Sequence, residues 1–174
     1  VQEEGETIGT IRITNEHLKH WKVGLDDILQ CAKENTPKLM PPLLRKMEDV
    51  LKELLTSEGM NIDPDQLELA ISPCDTEEEL YHENTTSMYV LSNTKGINGA
   101  SCLLYEDVIR NFARLLKCDV YILPSSIHEC LLVPVKEDTN FIELDLMVCE
   151  VNSTQLKPEE VLSNHAYRFC RDTR

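Results

Sequence analysis

The sequence predicts an α+β fold, with N-terminal helices, a small and mostly antiparallel sheet, and C-terminal helices. Some segments repeat apolar residues at the 3–4 spacing of a helix, and others are short, apolar and bounded by turn residues. In addition, only Pro124-Ser125-Ser126 separates two strand-like segments in the second half of the chain. So short a joint favours an antiparallel hairpin.

The N-terminal part is predicted to be helical after one strand. Residues 8–14 alternate apolar and polar side chains, which is typical of a strand, and Asn15 can then cap a short helix. A second helix is predicted over residues 25–33, because its apolar residues follow the helical period and Pro37 should prevent continuation. A third is predicted from Pro41-Pro42 to about residue 55, with its apolar side chains in one stripe.

Residues 61–84 are polar and rich in turn signals, so they are predicted to connect the helical part to the rest. The chain is expected to be a single α+β domain over residues 1–174. An internal subdivision into a helical part (1–60) and a sheet-containing part (85–174) is an alternative. The first residue is Val1 rather than Met, so the chain is expected to be the C-terminal part of a longer protein.

The second half is predicted to contain a strand–strand–helix–strand–strand unit. Its four strands and its helix are assigned to residues 88–92, 99–104, 106–116, 118–123 and 127–135, with a turn at residues 94–96. Another helix follows over residues 140–152, then a helical turn over 158–162 and a final strand over 165–170.

The charge of the chain limits its partners. Acidic residues outnumber basic ones 31 to 17, and the formal net charge is −14. Such a field repels phosphate backbones and anionic membranes, so neither nucleic acid nor a membrane is expected as a partner. No stretch approaches the roughly 20 apolar residues that a membrane span needs.

The seven cysteines indicate a reducing compartment. Their number is odd and no two form a C-x-x-C pair, which suits scattered thiols in a cytoplasmic protein. Spacing does not decide whether any of these thiols is reactive.

One short segment combines residue types used in nucleophilic catalysis, namely Ser125, Ser126, His128 and Glu129, followed by Cys130. On a strand, His128 and Cys130 point to one face and Glu129 to the other, so the group cannot converge locally. No G-x-S-x-G motif surrounds either serine. A structural hairpin, whose serines satisfy turn backbone groups, is therefore the preferred interpretation.

No metal or cofactor is predicted. His17 and His20 have a spacing that suits a metal on a helix, but a site needs at least one further ligand and H-E-x-x-H is absent. Gly96 and Gly99 form neither a G-x-G-x-x-G motif nor a P-loop. The glycine at position 99 is expected to permit close packing against a neighbouring element.

Segments along nearly the whole chain resemble a family of unknown function from anaerobic gut bacteria. The resemblance lies in residues 11–18, 32–36, 99–105, 121–129, 150–152 and 162–167. A more distant similarity, to an uncharacterised bacterial family related to YtpQ, lies in a helix-rich start that leads to a small sheet. The resemblance implies a bacterial cytoplasmic protein without an established activity, and it assigns no catalytic residues.

These observations favour a non-enzymatic cytoplasmic domain that binds or regulates another protein through the sheet edge and the turn at residues 124–129. The alternative is a small hydrolase or transferase that uses Ser125 or Ser126 with His128 and Glu129. Such an enzyme would need a remote partner such as His165 or Glu106, and a concave pocket with two of these side chains in hydrogen-bond reach. Ligand, partner and oligomeric state stay open.

Overall fold

The computed structural model describes residues 11–56 and 87–172. Contacts divide the chain into two units, residues 1–35 and residues 36–174. Two sequence predictions fall partly or wholly outside the described residues. They are the strand predicted over residues 8–14, of which 8–10 are not described, and the connection predicted over residues 61–84. The single domain and its subdivision stay predictions.

The first unit contains α1 (Asn15–Trp21), and Thr14 is the N-cap residue of this helix. The Thr14 backbone N–H donates to His17 Nδ1 at 3.0 Å, so the side chain three residues on satisfies a group at the helix start. The predicted helix is confirmed, with its cap at Thr14 instead of Asn15. Residues 11–14 do not pair with a strand, and the strand predicted there is wrong for these four residues. Alternation alone cannot make a strand without a partner.

The second helix, α2 (Leu25–Leu39), is longer than predicted, and Pro37 lies inside it. The expectation that Pro37 stops the helix is wrong. A proline near the end of a helix removes one backbone hydrogen bond, and the helical pattern resumes beyond it. The Met40 N–H donates to the Thr36 carbonyl at 2.8 Å.

The helix predicted from Pro41-Pro42 to residue 55 is wrong over its first turn and a half. The chain forms strand β1 (Pro42–Lys46) and only then α3 (Met47–Thr56). Strand β1 pairs antiparallel with β2 (Tyr89–Asn93), and Leu44 lies opposite Leu91. Pairing with a distant strand overrides the local helical pattern, because it satisfies the backbone and packs Leu44 on the core.

The remaining elements follow the predicted order with one exception. After β2 come a 3₁₀ helix (Gly99–Leu104), α4 (Val108–Leu116), β3 (Val120–Leu123), β4 (Cys130–Pro134), α5 (Phe141–Thr154), a 3₁₀ turn (Pro158–Glu160) and β5 (Tyr167–Phe169). The predicted strand at residues 99–104 is wrong, because this segment is the first 3₁₀ helix. The other predicted strands and helices of this half are confirmed, with ends shifted by a few residues.

Within the part of the chain that the structure describes, the sheet has five strands in the order β1-β2-β4-β3-β5, and every neighbouring pair is antiparallel. The hairpin predicted around residues 124–126 is β3 and β4, with Val120 opposite Pro134 and Leu123 opposite Leu131. The α+β class is therefore confirmed.

Each face of the sheet has its own buried cluster, because successive strand residues alternate between faces. On one face, Val120 and Leu132 pack with Phe112 of α4. On the other, Tyr121 and Val133 pack with residues of α5. The sheet thus lies between α4 and α5. The connection between β3 and β4 lies at one end of the sheet.

Asp119 ties the last strand to β3. It accepts hydrogen bonds from the Arg171 backbone N–H at 3.0 Å and from the Arg168 guanidinium at 2.6 Å. Both bonds lower the pKa of the Asp119 carboxyl below its usual range, and the bond from the Arg171 N–H has the larger effect. The short strand β5 is thereby held by side chains as well as by its ladder.

Candidate functional site

The segment 124–129 joins β3 to β4 and is held by backbone bonds on two sides. The Ala100 N–H donates to the Ile127 carbonyl at 3.2 Å, and the Ile127 N–H donates to the Glu160 carbonyl at 2.9 Å. The hairpin connection is therefore fixed between the 3₁₀ helix at residues 99–104 and the 3₁₀ turn at residues 158–160.

Ser126 closes the turn within this segment. Its hydroxyl is buried and accepts the His128 backbone N–H at 3.0 Å, while its own N–H donates to the Glu129 carbonyl at 3.1 Å. A serine hydroxyl that bonds the backbone two residues on is a common turn device. In this arrangement the hydroxyl completes the turn, as the preferred sequence interpretation expects.

His128 is bonded to a different segment. Its ring Nδ1 accepts the Asn98 backbone N–H at 3.2 Å, and its carbonyl accepts the Ser92 hydroxyl at 2.8 Å. With Nδ1 as acceptor, the neutral imidazole carries its proton on Nε2. The half-buried ring can therefore donate one hydrogen bond through Nε2, but its Nδ1 is occupied.

The catalytic candidates do not form a nucleophile–base pair. Among the described residues, no hydrogen bond joins the hydroxyl of Ser125 or Ser126 to the His128 imidazole. The suggested remote partner His165 lies elsewhere, with its Nδ1 3.5 Å from Asp145. A hydroxyl needs a base within hydrogen-bond reach to become a nucleophile, so this geometry does not favour the hydrolase or transferase alternative.

Gly99 allows the three segments to meet. A Cβ atom on Gly99 would lie 2.1 Å from Ser92 Oγ and 2.3 Å from the His128 carbonyl oxygen. No side chain fits at that distance, so the close approach of the 3₁₀ helix to β2 and to the hairpin connection requires glycine.

Two thiols are buried beneath this junction. Cys102 donates to the Ser92 carbonyl at 3.1 Å, and Cys130 lies opposite Leu91 in the sheet. Burial raises the pKa of both thiols, that of Cys130 to about 12. These two cysteines are core residues, and their raised pKa disfavours the thiolate form at neutral pH.

The histidines at the N-terminus have local partners. His17 stacks on Trp21 with ring centroids 5.5 Å apart, and it caps α1. Over residues 11–56 and 87–172, no group of three or more His, Cys, Asp or Glu side chains could hold a metal ion. None of the helices in these ranges is long and apolar enough to cross a membrane.

The surface of α5 has features that the sequence interpretation missed. Ile142, Leu146, Cys149 and Ser153 are all exposed and follow one another at four-, three- and four-residue spacing, so they form a single row, here called the α5 row. Ile142 is 69% exposed and Leu146 64%. The sequence contained a signal for this, because the apolar residues of α5 lie on more than one of its faces. A single buried face therefore cannot include all of them.

The α5 row ends in a cleft of about 600 Å³. Its walls are Cys149, Asn152, Ser153, Leu156, Pro158, Val161 and Asn164. Asn152 is buried, and its Nδ2 donates to the Ser163 carbonyl and to Asn164 Oδ1, both at 2.8 Å. These bonds fix the wall of the cleft between α5 and the segment that leads to β5.

Residues 11–56 and 87–172 thus have an α+β fold, a hairpin connection held by hydrogen bonds on two sides, and an exposed apolar helix face. No nucleophile–base pair is assembled from the candidate residues in these ranges. Residues 1–171 match the family of unknown function DUF5688, and the chain belongs to that family. No curated protein and no solved structure matches the chain.

Proposed function

We propose that this domain binds another protein and is not itself an enzyme. The observation that supports this most is the α5 row, in which Ile142 and Leu146 are two-thirds exposed on a well-formed helix. Phe141 and Met147 of the same helix are also partly exposed, at 38% and 40%. Contiguous apolar side chains on an exposed helix face are typical of protein-interaction sites.

The charge around the row indicates the chemistry of the partner. Exposed Glu143 and Glu150 lie beside it, and α5 has no basic residue. The chain as a whole has a net charge of −14. A partner surface with an apolar centre and basic residues at its rim complements this face, and its binding should weaken as salt rises.

The hairpin connection and the sheet edge, which the sequence indicated as the binding surface, receive less support than the α5 row. The turn uses its backbone groups internally, at Ile127 and Ser126, and its His128 ring bonds Asn98. A segment so engaged positions its neighbours, whereas the α5 row has exposed apolar side chains to offer.

The setting of this function is proposed to be the bacterial cytoplasm. None of the six described cysteines is part of a disulfide, which suits a reducing compartment. The bacterial gut origin and the distant relation to the YtpQ-related family rest on sequence resemblance. The acidic charge argues against nucleic acid or an anionic membrane as the partner.

Co-purification with matched variants tests the proposal. The double variant Ile142→Ser/Leu146→Ser removes the row, and Leu104→Ser removes an apolar side chain that is 82% exposed on another element. Both should keep their stability within about 0.5 kcal/mol, because exposed positions contribute little to folding. Proteins that co-purify with the wild type and with Leu104→Ser should be lost with the double variant.

Two results would contradict the proposal. One is an identical set of co-purifying proteins for the wild type and the double variant. The other is a set that both variants lose equally, since that would indicate general apolar adhesion instead of a specific face.

A further inference from the structure

Two side-chain amides in the wall of the cleft, those of Asn152 and Asn164, each have one polar atom without a partner in the described part of the chain. Among the described residues, Asn152 Oδ1 and Asn164 Nδ2 have no hydrogen-bond partner. Asn152 is only 7% exposed, yet none of its polar atoms is both buried and without a partner, so its Oδ1 reaches solvent. Asn152 is one of the residues that line the cleft. An accessible amide oxygen without a partner in the protein can accept a hydrogen bond from a ligand in the cleft.

The rest of the lining restricts the ligand class. None of the seven lining residues is Asp, Glu, Lys or Arg, and Leu156, Pro158 and Val161 provide an apolar wall. A charged ligand would lose its hydration without gaining an ion pair. A neutral group with one N–H, one C=O and an adjoining aliphatic side chain matches both the amides and the wall.

We propose that this cleft binds a peptide group of a partner protein together with its neighbouring aliphatic side chain. The peptide N–H donates to Asn152 Oδ1, its carbonyl accepts from Asn164 Nδ2, and the side chain packs on Leu156 and Val161. This inference rests on the proposed protein-binding function and adds the class of segment that is recognised. A partner lying along the α5 row reaches the cleft directly, because Cys149 and Ser153 belong to both.

Protection of Cys149 from alkylation tests this assignment on the purified protein. Cys149 is an exposed thiol in the cleft wall, and Cys31, exposed in the other unit, serves as an internal reference. The probe is the neutral peptide acetyl-Ala-Leu-Ala-amide, with acetyl-Ala-Ser-Ala-amide as its control. At about ten times its dissociation constant, the leucine peptide should slow iodoacetamide labelling of Cys149 about tenfold, since only the free tenth of the protein reacts. Labelling of Cys31 should not change.

Two matched variants check where the peptide binds. Ser153→Arg places a long side chain in the cleft wall, whereas Thr154→Arg alters the next residue, which does not line it. The two positions are otherwise alike, since both are exposed and both hydroxyls donate to the Glu150 carbonyl. Protection should vanish in Ser153→Arg and persist in Thr154→Arg, and the side-chain amide NMR signals of Asn152 and Asn164 should shift only with the leucine peptide.

The assignment is wrong if the leucine peptide leaves the Cys149 rate unchanged up to its solubility limit, or if Ser153→Arg is protected as well as the wild type. Equal protection by the serine peptide would also contradict it, because the apolar wall would then contribute nothing. None of these results affects the co-purification test with Ile142 and Leu146, so the two proposals can fail separately.

Discussion

Replacing Gly99 by alanine tests the hairpin junction most directly. The added Cβ would meet Ser92 Oγ at 2.1 Å, the His128 carbonyl oxygen at 2.3 Å and the Asn93 nitrogen at 2.9 Å. Two of these three atoms belong to the backbone, so no side-chain rotation relieves the contact. The 3₁₀ helix must move away from β2 by about 1 Å, which is the kind of backbone shift that overpacking causes.

The expected loss of stability follows from two contributions. Forced overpacking of a well-packed site costs about 1–3 kcal/mol. The Ser92 hydroxyl must also leave the His128 carbonyl, which it bonds at 2.8 Å, and this costs about 1 kcal/mol. Together, Gly99→Ala should lower the free energy of unfolding by about 2–4 kcal/mol, a large share of the 5–15 kcal/mol typical of a domain.

Urea unfolding followed by circular dichroism measures this loss, with Gly96→Ala as the matched control. Gly96 has a φ of +65°, and a Cβ added there would have no atom within 4 Å. Alanine at this position therefore meets only the cost of the left-handed conformation, about 1 kcal/mol. The packing argument would be refuted if Gly99→Ala were no less stable than Gly96→Ala.

Two further predictions concern titration and thiol chemistry. The lowered pKa of Asp119 stabilises the fold fully above its unfolded value of about 4, and this contribution is lost as the pH falls through the folded pKa. Asp119→Asn should therefore be less stable than the wild type at pH 7 and should lose less stability on acidification. Urea unfolding midpoints measured between pH 7 and pH 2 check this. The reasoning is wrong if the midpoints of the two proteins change in parallel with pH. Alkylation at pH 8 should label Cys149 in the native protein but leave Cys130 unmodified until urea unfolds the chain, because burial raises the Cys130 pKa to about 12. Equal labelling of both thiols by mass spectrometry would show that the junction opens in the native state.

Local sequence patterns were sufficient wherever one periodicity dominated. The strands at Val120–Leu123 and Cys130–Pro134 and their hairpin pairing followed from short apolar segments around a three-residue joint. The helices at Val108–Leu116 and Phe141–Thr154 followed from the helical spacing of their apolar residues. These elements place the sheet between two helices, and the α+β class was predictable from them.

Strand β1 and the 3₁₀ helix were not predictable from local patterns. The leucines from residue 43 onward continue the helical stripe of α3, and only pairing with β2 makes Pro42–Lys46 a strand. At Gly99 the sequence indicated close packing, but not that the neighbours would be Ser92 and the His128 carbonyl. Both outcomes depend on residues far away in the chain, which local propensity does not include.

The candidate site divides in the same way. The sequence by itself determined which chemical groups stand near the hairpin connection, that Ser126 is suited to a turn, and that the formal net charge is −14. Only the tertiary structure decided that the Asn98 N–H donates to His128 Nδ1. It also decided that Ile142 and Leu146 are exposed on α5. The physical reason is that a helix with apolar residues on more than one face can bury only the face its sheet covers, and the chain topology selects that face.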